Sequence, residues 1–171
     1  RAYQLSTAEM REVDRTLHDG LRRRGFRLTF GEDETGFQMM YLRRGGGYYF
    51  NVGCSDMIVD GRVALLQYDD LDGFTAGGLR LRDGSERPFD LVVVATGYET
   101  QQGFVRDTLG DAVADRIGPV WGFDDGGELR NMWAPTAQEG LWFTAGSLAQ
   151  CRIYSRYLAL QIKAREDGLV A

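Results

Sequence analysis

The chain has 171 residues, inside the range of about 50–250 for one domain, with 43% hydrophobic, 12% aromatic and 26% charged residues. That composition belongs to folded globular proteins and excludes the collagen, coiled-coil and mucin-like classes. Net charge is −5 and Lys163 is the only lysine among 20 basic residues, so the chain lacks the positive field that nucleic acid or an anionic membrane surface requires.

The longest apolar run, Leu91 to Ala95, falls far short of the ~20 residues that span a bilayer. Arg1 to Leu5 has neither an initiator Met nor the apolar stretch of a signal peptide, which reads as an excised piece. Cys54 and Cys151 lie far apart without C-x-x-C spacing, so no disulfide framework is indicated and a cytoplasmic setting is expected.

In chain order, Ser6-Thr7-Ala8-Glu9 has the spacing of a capping box, and Met10, Val13, Leu17 and Leu21 follow on one helical face, with Gly25 as the stop. Arg22-Arg23-Arg24 suits the last turn, where cations complement the helix dipole. Phe26, Leu28 and Phe30 alternate with polar residues and predict a half-buried strand. Phe37 to Arg43 is too short for periodicity to separate helix from strand. Tyr48 to Val52 reads as extended, and Ser55 to Val59 as a helical turn closed by Asp60-Gly61.

A β-meander is predicted next, with strands at Val63 to Tyr68, Gly73 to Thr75 and Leu79 to Leu81, a hairpin at Asp83-Gly84, and Phe89 resuming. Leu91-Val92-Val93-Val94-Ala95 is apolar at every position and ends in Thr96-Gly97, the pattern of a strand covered on both faces of a parallel sheet. One or two short helices interrupted by Gly110 are expected over residues 102–117, then a hairpin around Asp124 to Gly127. Leu141 to Ala145 reads as a short strand. Gly146 turns the chain, and Ser147 to Gln150 is a second capping box opening a helix to about Glu166. Cys151, Tyr154, Leu158 and Ile162 are spaced for its buried face, and Gly168 marks its end.

The candidate chemistry sits at two glycines. A strand, Gly146 and a Ser147-capped helix is the arrangement that aims backbone N–H groups and a positive dipole end at an anion such as a phosphate. Thr96-Gly97 lies where α/β sheets bind ligands, at the carboxyl end of a strand. The remaining reactive types read as structural. His18 is expected to face solvent on the first helix, and one histidine with two distant cysteines makes no standard zinc site. Cys54 and Cys151 are expected to be small buried hydrophobes, and the acidic groups near Glu32, Asp69 and Asp124 to be solvated loops. Arg152 and Tyr154 are expected to serve packing and surface.

Asp90-Leu91-Val92-Val93-Val94-Ala95-Thr96-Gly97-Tyr98 resembles the ATG-type strand of two-dinucleotide-domain flavoproteins, and its Ala-Thr-Gly-Tyr form is similar to flavin-containing monooxygenases. Gly140-Leu141-Trp142-Phe143-Thr144-Ala145-Gly146 with the Ser147 to Ala164 helix resembles that family's last FAD-domain strand and closing helix. The likeness covers roughly residues 45–165. No G-x-G-x-x-G occurs; Gly45-Gly46-Gly47 is followed by Phe50 where the third glycine would stand.

The resemblance implies an α/β chain carrying part of an FAD/NAD(P)-binding Rossmann-like, three-layer fold with an antiparallel β-meander. Residues 1–88 would end the NADPH-binding domain and residues 89–171 would form the C-terminal part of the FAD-binding domain, both fingerprints preceding Arg1. It implies FAD and NADPH as cofactors and oxygenation of a small organic substrate through a flavin hydroperoxide. Ala95, Thr96 and Gly97 would lie beside the dinucleotide at the domain junction, and Gly146 and Ser147 near the FAD pyrophosphate or ribityl chain. No catalytic acid or base carries over. The chain alone is expected to be inactive, and its unpaired central strand to drive self-association or strand exchange, unless the missing N-terminal part covers it. A non-catalytic α/β binding module and a fragment of another pyridine-nucleotide flavin oxidoreductase are the alternatives.

Overall fold

A computed structural model describes residues 1–170, which combine helices with one small antiparallel sheet. Two compact units are present, one of Arg1–Gly36 with Tyr49–Gly97, the other of Phe37–Tyr48 with the chain from Tyr98 onward.

In the first unit the opening helix is two helices, α1 (Ala2–Val13) and α2 (Arg15–Arg23), meeting at Asp14. Helix α1 starts before the predicted box, so Ser6 lies inside it and its hydroxyl donates to the Tyr3 carbonyl instead of capping. The predicted face is buried only at its far end: Leu21 is covered, whereas Met10 and Val13 are exposed. Gly25 closes α2 as expected, with φ +83° and paired bonds from Phe26 N–H to the Leu21 carbonyl (3.0 Å) and from Gly25 N–H to the Arg22 carbonyl (2.9 Å). Helix α4 (Cys54–Val59) packs so closely on α2 that a Cβ at Gly20 would lie 2.9 Å from Val59 Cγ2. His18 is half-buried rather than solvent-facing, its ring edge-on to Phe30 at 5.3 Å. Cys54 is exposed, contrary to expectation, because it opens α4 on the solvent side.

The meander forms as β1 (Leu71–Thr75), β2 (Gly78–Leu81) and β3 (Glu86–Pro88), ordered β1-β2-β3 and antiparallel throughout. Leu79 and Leu81 face inward, while Arg80 on the other face pairs with Asp72 at 2.7 Å. The Asp83-Gly84 turn is held by Asp83, which accepts from the Ser85 hydroxyl (2.6 Å) and amide (2.9 Å); those bonds keep its carboxyl below the ordinary carboxylate range. The strand expected at Val63 to Tyr68 is absent, replaced near its end by a 3-10 turn at Tyr68–Asp70.

Phe26 to Phe30 and Tyr48 to Val52 likewise form no ladder. Side chains at 26, 28 and 30 do alternate inward, as predicted. Alternation sets which face is buried, but a strand also needs a neighbouring backbone to bond. The largest correction is at Leu91 to Ala95, which is neither strand nor core. Leu91, Val92, Val93 and Val94 are 77%, 41%, 77% and 66% exposed. The last ladder bond before them runs from Phe89 N–H to the Gly77 carbonyl, so the run overhangs the end of the sheet.

The second unit holds α3 (Gly36–Arg44), which settles the 37–43 ambiguity as helix, together with α5 (Gln101–Leu109), α6 (Asp111–Ile117) and α7 (Leu148–Glu166). Gly110 divides α5 from α6 as predicted, and Arg106 bridges the break to Asp111 (2.7 Å) and Asp115 (2.8 Å), which raises its pKa further. Residues 121–130 form the expected hairpin, with Trp121 N–H bonded to the Arg130 carbonyl and a single bridge between Phe123 and Leu129. The core joins Val105, Ala114, Ile117, Val120, Met132, Trp133, Phe143 and Leu158. Helix α7 ends at Gly168 by the same paired bonds that close α2. Its predicted face is buried fully only at Leu158; Tyr154 is exposed and stacks on Trp133 at 6.1 Å.

The chain exposes 12522 Å². No large side chain among the described residues is completely enclosed.

Candidate functional site

The α7 N-terminus is built as the sequence predicts. Ser147 Oγ accepts from the Gln150 amide at 3.3 Å, and Gln150 Oε1 accepts from the Ser147 amide at 2.9 Å, a complete capping box. Gly146 has φ +109°, and a Cβ there would lie 2.5 Å from Gln150 Oε1. The space opened by this glycine is therefore occupied by the chain's own carboxamide. A phosphate approaching the helix end would meet that oxygen, an acceptor with a partial negative charge, and would have to displace it. The arrangement satisfies the helix end without a ligand.

Ala95, Thr96 and Gly97 are exposed and close the first unit; Gly97 has φ +100°. Thr100, in the second unit, caps α5, its hydroxyl accepting from the Gly103 amide at 3.1 Å. The Thr-x-x-Gly spacing carries that cap, which the capping-box pattern with its acidic or amide third position does not detect. Thr96-Gly97 thus precedes a capped helix, as Gly146 does. The structure brings Gly146 and Ser147 together around Gln150, while the other three candidates belong to the other unit.

As they stand, these residues do not fit the pyrophosphate of FAD or NADPH. One glycine cradle is filled from within, and at the other Ala95 to Gly97 lie exposed, with open space around a Cβ at Gly97. Arg152 is exposed and takes no part in either.

Two open clefts lie in the second unit, and neither is lined by Gly146 or Ser147. One, of about 450 Å³, includes Glu139, Trp142, Ile162 and Arg165, where Arg165 faces Glu139 at 3.8 Å. The other, of about 370 Å³, runs between α5 and the extended segment 141–144, lined by Phe104, Leu109, Leu141, Trp142 and Thr144. Its lining carries no charged side chain. Leu141 to Ala145 taken as a strand within a sheet leaves no room for this cleft; the sequence signal for it is the apolar i, i+4 pair Val105 and Leu109, with Phe104 beside them, on a short helix.

The segment 141–145 is held by one parallel bridge, Met132 to Phe143, with Trp133 N–H donating to the Phe143 carbonyl at 3.1 Å. Thr136 Oγ1 donates to the Leu141 carbonyl at 2.8 Å. Nearby, the Trp121 indole N–H donates to the Tyr41 carbonyl at 2.9 Å, and burial pushes the Tyr41 phenol above its usual value, with Tyr48 and Cys151 adding to the shift. These are packing contacts and supply no acid or base to either cleft.

A scan against protein-family models and a search of curated proteins give no match to this chain. No helix among the described residues is long and apolar enough to cross a membrane.

Proposed function

We infer that the chain is the C-terminal part of an FAD- and NADPH-dependent, monooxygenase-like flavoprotein with a Rossmann-like core, and that it is inactive alone. The observation that carries the reading is the Leu91 to Ala95 run. A strand-type sequence ending in Ala95-Thr96-Gly97-Tyr98 lies exposed with no ladder, as a central strand does when its sheet is supplied from elsewhere. The filled cradle at Gly146 supports the second half: without the glycine fingerprints, the α7 end satisfies itself through Gln150. In this reading Ala95, Thr96, Gly97, Gly146 and Ser147 border a dinucleotide completed by upstream strands, and the small-molecule substrate sets the final reaction.

The test is to purify the protein from its complete natural reading frame, incubate it with FAD, pass it through gel filtration and record the visible spectrum beside that of the 171-residue chain. The expected result is flavin retained by the former and colourless protein from the latter. A complete protein that holds no flavin overturns the reading. Flavin retained by the 171-residue chain keeps the flavoprotein assignment and overturns its inactivity. A binding module is the second reading, favoured by the uncharged cleft between α5 and residues 141–144.

A further inference from the structure

The cleft of about 450 Å³ lies wholly within the second unit. Ile162 and Arg165 stand three residues apart on α7 and so share one helix face, with Glu166 beside them. Trp142 lines the cleft from the extended segment, and beyond the Gly168 turn Val170 lines the same space. Arg165 is the unusual member. Its side chain is only 27% exposed, yet among the described residues its guanidinium makes no hydrogen bond, and its ion-pair contact with Glu139 is 3.8 Å long. A charge-assisted hydrogen bond spans about 2.7–2.9 Å, so that contact leaves the guanidinium donors and the Glu139 carboxylate oxygens unmet. Among the described residues the Glu166 carboxylate has no partner either. A mostly covered charge without hydrogen bonds is costly, and a ligand carrying complementary groups relieves that cost.

We propose that this cleft binds a free amino acid with an apolar side chain, its carboxylate on Arg165, its ammonium on Glu139 and Glu166, and its side chain against Trp142, Ile162 and Val170. The charge pattern selects this class. Two carboxylates in the lining disfavour a simple anion, while a guanidinium short of acceptors disfavours a simple cation. A zwitterion laid head to tail against the Arg165–Glu139 pair answers both. The aromatic and aliphatic lining takes the apolar body, and the volume falls inside the range of about 300–1,000 Å³ for small-molecule sites. None of the residues assigned to the dinucleotide lines this cleft, so the amino-acid site and the flavoprotein reading stand or fall separately.

Isothermal titration calorimetry of the 171-residue chain with L-phenylalanine, phenylpropionate and phenethylamine presents three charge patterns on one apolar body. L-Phenylalanine is expected to bind saturably, with a dissociation constant in the millimolar range or below, and each singly charged analogue at least about tenfold more weakly. Glu139→Gln alters an 87% exposed side chain and leaves the fold intact, which unchanged circular dichroism confirms. It is expected to weaken L-phenylalanine binding about three- to tenfold and to narrow the gap to phenylpropionate. Arg165→Gln is expected to narrow the gap to phenethylamine in the same way, with Arg165→Lys, which keeps the charge but not the planar fork, restoring part of it. Absence of saturable L-phenylalanine binding, either analogue binding as tightly as L-phenylalanine, or binding indifferent to both Glu139→Gln and Arg165→Gln overturns the proposal.

Discussion

Leu91 to Gly97 and Leu141 to Gly146 share one pattern, an apolar run that ends in glycine ahead of a capped helix, and they meet different fates. In the second, Phe143 is buried at 9% exposure, its carbonyl is bonded by Trp133, and Thr136 holds the Leu141 carbonyl. In the first, four apolar side chains lie in the open, and among the described residues no ladder bond reaches residues 91–97. The difference is one of neighbours rather than composition. Apolar content measures how much a segment gains from burial, about 25 cal/mol per Å², but only a facing backbone and side-chain layer turns that gain into structure.

Substitutions separate the two runs most sharply. Phe143→Ala removes a ring from the second unit's core and is expected to cost about 3–5 kcal/mol, whereas Val93→Ala in the dilute chain is expected to change stability by less than about 0.5 kcal/mol. Urea titration followed by tryptophan fluorescence checks Phe143→Ala, because Trp121, Trp133 and Trp142 all belong to the second unit; the same titration followed by far-UV circular dichroism, which reads the helices of both units, checks Val93→Ala, where a comparable loss would mean the run is covered after all. Next in size is Gly146→Ala, expected to destabilise by about 1–3 kcal/mol through its backbone conformation, with Gln150→Ala in the same chain restoring part of the loss by vacating the space. A ligand cradle would show no such rescue.

Ser147→Ala and Thr100→Ala each remove a helix cap and are each expected to cost about 1 kcal/mol in the same titration. Equal losses would show that the two glycine segments lead into equivalent helix starts even though the runs before them differ. The smallest effect is on pH dependence. The Tyr41 phenol titrates above its ordinary value of 10.0, so the stability tied to its neutral form is fully present below that pH and is lost as the pH rises through the higher folded-state value. Alkaline titration should show loss of the second unit's fluorescence above that ordinary value, and Tyr41→Phe should delay the loss.

Elements governed by local rules were legible in the sequence. The Gly25 and Gly168 stops, the Ser147 box, the Gly110 break and the Asp83-Gly84 turn need only a few consecutive residues, and each stands where expected. Elements that need a distant partner were not. Phe26 to Phe30 keeps its alternation but has no ladder, Ser6 matched a box inside a helix already begun at Ala2, and Asp14 splits a face drawn as continuous. At the candidate site, Gly146 and Ser147 were legible as a turn and a cap. The carboxamide that fills the cradle was not, because a capping box and an anion site use the same spacing and differ only in which group reaches the helix end.

Amide hydrogen exchange of residues 91–95 at low and high protein concentration tests most directly whether the run lacks a partner within its own chain. The account predicts exchange near unprotected rates in dilute solution. Protection of residues 91–95 at every concentration would contradict it, because the run would then be covered within a single chain.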